Sequence, residues 1–101
     1  MLFEAIKYNG NGVQVTAGAS SANIAIPQTA NGKTARYVGV QTLNQTYAYV
    51  KFGPTAGVAA TTGDFPVSSN ELRIFDVSGQ SFMAFIQETA SAKLNICPIE
   101  F

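Results

Sequence analysis

The sequence predicts an all-β domain: an antiparallel β-sandwich, Greek-key or jelly-roll-like, of about eight short strands with little or no helix. Three observations carry this expectation. Short segments of alternating apolar and polar residues recur along the chain, separated by clusters of turn residues. β-branched and aromatic side chains fill those segments. No stretch long enough for a helix shows a helical apolar period with capping residues at both ends. With 101 residues the chain has room for one domain, so residues 1–101 are expected to form a single sandwich.

Residues 3–8 read as a first strand, closed by Asn9-Gly10-Asn11-Gly12, whose Asn-Gly steps supply the positive φ of a tight hairpin. Val13 and Val15 alternate with Gln14 and Thr16 as a half-buried strand, and residues 17–21 form a small-residue break. Ile24 and Ile26 mark a short strand that Pro27 ends or places at an edge. After a polar turn at Asn31-Gly32, residues 36–43 and 46–52 read as the clearest hairpin, turning at Asn44-Gln45. On its second arm Ala48, Val50 and Phe52 are expected in the core, with Tyr47, Tyr49 and Lys51 on the opposite face.

Residues 53–66 read as a long loop, broken at most by a small strand around 58–61. Residues 71–77, 81–87 and 93–99 read as the final strands, turned at Gly79 and at Thr89-Ala90-Ser91. Their expected core residues are Phe75, Val77, Phe82, Ala84, Ile86, Leu94 and Ile96. Ser68-Ser69-Asn70-Glu71 imitates a capping box and allows one short turn at most.

Composition narrows the chemistry. Six Lys and Arg balance six Asp and Glu, giving zero formal net charge, so the dense positive field that selects nucleic acid is not expected. The chain has no His, which removes Ser–His and Cys–His nucleophilic catalysis. A single cysteine, Cys97, makes no internal disulfide and reads as a small packed side chain. Zinc would need more ligands than the chain offers. Gly32-Lys33-Thr34 imitates the end of a phosphate-binding loop, but Pro27 stands where that pattern needs its first glycine. Asp64, Glu71, Asp76 and Glu88 are scattered, with no local arrangement that recommends a carboxylate pair or a calcium loop.

The expectation is therefore a protein that is not an enzyme, with no catalytic residue, cofactor or metal. Residues 1–7 lack a basic leader and a long apolar run, and no stretch is long enough to span a bilayer, so no membrane partner is expected. Ser, Thr, Asn and Gln supply 29 uncharged polar residues, which suit either a docking surface or a solvated sheet face. Tyr47 and Tyr49 alternate on one face; sugar or base stacking is one use, and cover of a sheet edge or contact with a protein partner is the favoured one.

From residue 35 onward a family pattern joins this reading. Ala35-Arg36-Tyr37-Val38-Gly39-Val40, Ala48-Tyr49-Val50-Lys51-Phe52-Gly53, residues 58–67 and Ala92-Lys93-Leu94-Asn95-Ile96-Cys97-Pro98 resemble small structural proteins of tailed bacteriophages. Some of those serve as capsid decoration, or cement, proteins. The resemblance implies a non-enzymatic virion protein, made in the host cytoplasm and placed on the outer capsid surface. There it would bridge major capsid protein subunits, with itself as a second partner in a homotrimer. Residues 1–7, 53–66 and 99–101 are the expected contact regions, with Leu2, Phe3, Val58, Phe65 and Phe101 as anchors beside Tyr47 and Tyr49. A head–tail connector or tail protein is the alternative, and a carbohydrate-binding module using Tyr47 and Tyr49 is the second.

Overall fold

A computed structural model describes residues 10–30 and 32–100, and most of the alternating segments are strands in it. In chain order these are β1 (Val13–Ala17), β2 (Ala22–Ala25), β3 (Tyr37–Thr42), β4 (Tyr47–Gly53), β5 (Phe65–Ser68), β6 (Arg73–Asp76), β7 (Phe82–Gln87) and β8 (Ala92–Ile99). Among the described residues there is no helix. The strand expected over 3–8, together with Asn9 and Asn31, lies outside the described residues. Gly10 forms an isolated bridge with Thr29.

Two four-stranded antiparallel sheets result, in the orders β1-β8-β3-β6 and β2-β7-β4-β5. The pairs β1·β8, β2·β7, β3·β6 and β4·β5 describe one long antiparallel ribbon. Rolling that ribbon brings β8 beside β3 and β7 beside β4, which completes both sheets. This is the order of a jelly roll, an eight-stranded pair of Greek keys.

The core lies between the sheets. Leu94, Ile96, Val38, Val40 and Ala17 face it from one side, and Val50, Ala48, Val67, Met83 and Phe85 from the other. The two rows come from strands that each pack side chains of alternate positions inward. Thr42 is the buried polar exception, and its hydroxyl donates to the Thr46 carbonyl at 2.6 Å.

The pairing differs from the expected hairpins. Asn44 and Gln45 do take positive φ, 59° and 57°, and the Thr46 N–H donates to the Leu43 carbonyl. Yet β3 and β4 enter different sheets. Side by side, the rows Val38, Val40 and Ala48, Val50 would share one sheet face; facing each other, they bury both. The turns at Gly79 and at residues 88–91 likewise join strands of opposite sheets. Among the described strands only β4 and β5 are neighbours both in sequence and in a sheet, and a long connection, residues 54–64, joins them.

Three further expectations are corrected. Residues 58–61 form no strand. The segment crosses the outer face of the β2-β7-β4-β5 sheet, held where Asn23 Nδ2 donates to the Ala56 carbonyl and the Ala60 N–H donates to Ser21 Oγ. Phe65 and Pro66, expected to end the loop, begin edge strand β5, a position that tolerates Pro66. On β7 the core residues are Met83 and Phe85 rather than Phe82, Ala84 and Ile86. Ala84 is fully buried all the same: it lies in the row of Asn23 and Lys51, on the face that the 54–64 segment crosses. Covered on both sides, Phe-Met-Ala-Phe-Ile needs no alternation, so its pattern cannot reveal its register.

Two stability outcomes follow from this packing. Met83→Ala should cost about 2–5 kcal/mol by denaturant unfolding, and Ile86→Ala clearly less, since only the first opens the inter-sheet core. A Cβ on Gly53 would stand 2.7 Å from the Val58 Cβ. Gly53→Ala should therefore cost about 1–3 kcal/mol. Gly39→Ala should cost less, because its methyl meets only the side-chain ends of Ile99 and Leu72.

Candidate functional site

The acidic side chains serve local structure. Asp64 accepts from the Thr61 N–H at 2.7 Å and closes the turn before β5. Glu71 pairs with Arg73 at 2.6 Å. Asp76 accepts from both the N–H and the hydroxyl of Ser78, at 3.0 and 2.7 Å, and stands 3.7 Å from Arg36. Those Ser78 bonds, with a smaller contribution from Arg36, hold the Asp76 carboxyl below its usual range. Glu88 accepts from the Tyr49 hydroxyl at 3.3 Å. Among the described residues no three His, Cys, Asp or Glu side chains gather where they could hold a metal. Cys97 is half-buried on the outer face of its sheet, and burial pushes its thiol pKa up, away from the reactive thiolate.

Exposed apolar side chains are more informative. Tyr47, Phe65 and Leu72 are 48%, 46% and 44% exposed, and all three belong to β4, β5 or the link into β6. Phe65 and Leu72 stand at one margin of the sandwich, where β5 and β6 are the edge strands of their sheets, whereas Tyr47 stands on the outer face of β4. Phe65 meets Phe75 edge-on at 5.1 Å, and Phe75 in turn meets Phe52 at 5.0 Å, so the exposed ring is continuous with the core. The Arg73 guanidinium lies 5.8 Å from the Phe65 ring centre while paired with Glu71. Leu72 lies against Gly39, with Ile99, on the outer face of the other sheet.

Tyr47 also lines a groove of about 280 Å³ with Gln45, Thr46, Glu88, Thr89 and Ala90. A second hollow of about 200 Å³ lies among Ala25, Ile26, Gln28, Thr34, Ser81 and Phe82.

No family model, curated protein or solved structure matches the chain.

Of the expected contact residues, Phe65 stands on the exposed margin and Tyr47 is exposed on the outer face of β4. Tyr49 shares the outer face of β4 with Tyr47 but is half-buried, tied to Glu88, and desolvation followed by the Glu88 charge raises its phenol pKa. Val58 is half-buried against Gly53 instead of standing free. Ile99, expected to begin an arm at 99–101, is buried at the end of β8 opposite Tyr37. Leu2, Phe3, Phe101 and the arm at 1–7 lie outside the described residues. Leu72 was missed by the sequence reading, which placed it inside a strand; its neighbour Glu71 gave no sign that it would face solvent.

The Asp76 turn has a definite pH signature. A carboxyl whose folded pKa is depressed contributes stability above its unfolded value and loses it as pH falls through the folded one. Ser78→Ala should therefore move the Asp76 titration upward by NMR. The stability gap between variant and parent should be full at neutral pH and close in strong acid.

Proposed function

We propose that this chain is a non-enzymatic virion structural protein that decorates the outer capsid surface of a bacteriophage and stabilises it by bridging major capsid protein subunits. The observation that carries the reading is the margin at β5 and β6. Phe65 and Leu72 are large, apolar and exposed there, on a strand or beside one, with the Arg73–Glu71 pair next to Phe65. Aromatic and aliphatic anchors of this kind, rimmed by a satisfied ion pair, are what buried interface centres are built from.

Three further features support it. Jelly rolls recur among viral capsid domains, a likeness of fold and not by itself of role. Zero net charge leaves no long-range repulsion between copies packed on a lattice or joined as a homotrimer. A chain of this size buries a modest share of its surface alone, and docking adds to that burial. Many weak contacts repeated over a shell then combine.

Co-sedimentation of the purified chain with expanded, undecorated shells tests the proposal. Saturable binding at hundreds of copies per particle is expected, with Phe65→Ala and Leu72→Ala each weakening it by about tenfold or more. A ring of about a dozen copies at one vertex would move the protein to the connector or tail. A chain that stays in the supernatant at every concentration would end the shell reading.

A further inference from the structure

We propose that the groove beside Tyr47 binds an uncharged saccharide. It lies at the end of the sandwich where the β3–β4 turn meets the β7–β8 connection. The site does not depend on the shell reading and uses a different surface.

Both walls are held in place before any ligand arrives. On one side Asn44 and Gln45 sit in left-handed backbone conformations, and the Thr46 hydroxyl donates to the Leu43 carbonyl at 2.6 Å. The Thr46 carbonyl is itself fixed by the buried Thr42 hydroxyl. On the other side the Glu88 N–H donates to the Tyr47 carbonyl, and the Tyr49 hydroxyl holds one oxygen of the Glu88 carboxylate. The two walls are thus bonded to each other, and a ligand would find the geometry already set.

The chemistry of the lining selects the ligand class. A sugar ring has one apolar C–H face and a girdle of hydroxyls that both donate and accept. Tyr47, half-exposed, supplies a flat ring for the first. The second oxygen of Glu88, the Gln45 amide and the Thr89 hydroxyl supply acceptors and donors for the second; among the described residues no other group engages the Gln45 and Thr89 side chains. Ala90 keeps the rim low. No Lys or Arg lines the groove, and its one charge is the Glu88 carboxylate, so phosphate, sulfate and acidic sugars are repelled. At about 280 Å³ the groove takes one or two rings of a longer glycan. A single aromatic platform implies weak binding per site, with a Kd of about 1 mM.

The test is a set of ¹H–¹⁵N NMR titrations of the whole chain with maltotriose, cellotriose and triacetylchitotriose, and with sialyllactose as the acidic contrast. Shifts confined to residues 43–47 and 87–91 are expected with at least one neutral sugar. Tyr47→Ala should weaken that binding at least tenfold while leaving the dispersed spectrum of the fold intact, and Tyr49→Phe should weaken it less. Three results would overturn the proposal: no shifts at these residues with any of the three neutral sugars up to about 20 mM, binding of the acidic sugar alone, or undiminished binding by Tyr47→Ala.

Discussion

Two ladders between strands far apart in the chain, β3·β8 and β4·β7, hold everything else in place. Each runs for six residue pairs at the centre of its sheet. Among the described strands β4·β5 is the one pair adjacent in sequence, so most of them find their sheet neighbours far along the chain. Loop-closure entropy is lost before the stabilising contacts form, which puts the domain among slowly folding, high-contact-order β proteins. The same dependence makes folding cooperative: removing β8 strips a neighbour from β1 and from β3 together.

That arrangement also decides where apolar surface is left over. The centre strands are flanked on both sides, so unspent contact area collects at the edges. At the β5–β6 margin the chain limits the hazard of open edges by known means: four-residue strands, Pro66 in β5, and the charged pair Glu71–Arg73 at the start of β6. These devices discourage backbone pairing while leaving Phe65 and Leu72 exposed. Strand addition is thus disfavoured at this margin while side-chain contact is left open, which is what the proposed docking requires.

Most strand positions were legible in the sequence from local alternation between turn residues; β5 was not, since residues 65 and 66 read as the end of a long loop. Nor was pairing. Asn44 and Gln45 adopt the conformations of a hairpin turn, and nothing in their neighbourhood says that Val38 and Val50 will face each other across a core. The register of β7 was hidden for a related reason, since the 54–64 segment covers the face that would ordinarily be polar. The margin was half legible. Phe65 stood out as an apolar residue in the expected long loop, whereas Leu72 looked like one more strand residue until Gly39 and Ile99 placed it on an outer face.

The alternation of a single ladder keeps the two candidate surfaces apart. Phe65 pairs with Val50 in the row that faces inward, and Tyr47 pairs with Ser68 in the row that faces out, at opposite ends of β4·β5. A partner seated on Phe65 and Leu72 therefore need not touch the groove. If many copies dock side by side through the first surface, the second is repeated across a lattice, and sites too weak to matter singly gain from effective concentration. Weak glycan affinity in the isolated chain is thus compatible with strong attachment by a decorated particle, and it is the geometry of β4, with neighbouring residues committed to opposite faces, that permits both.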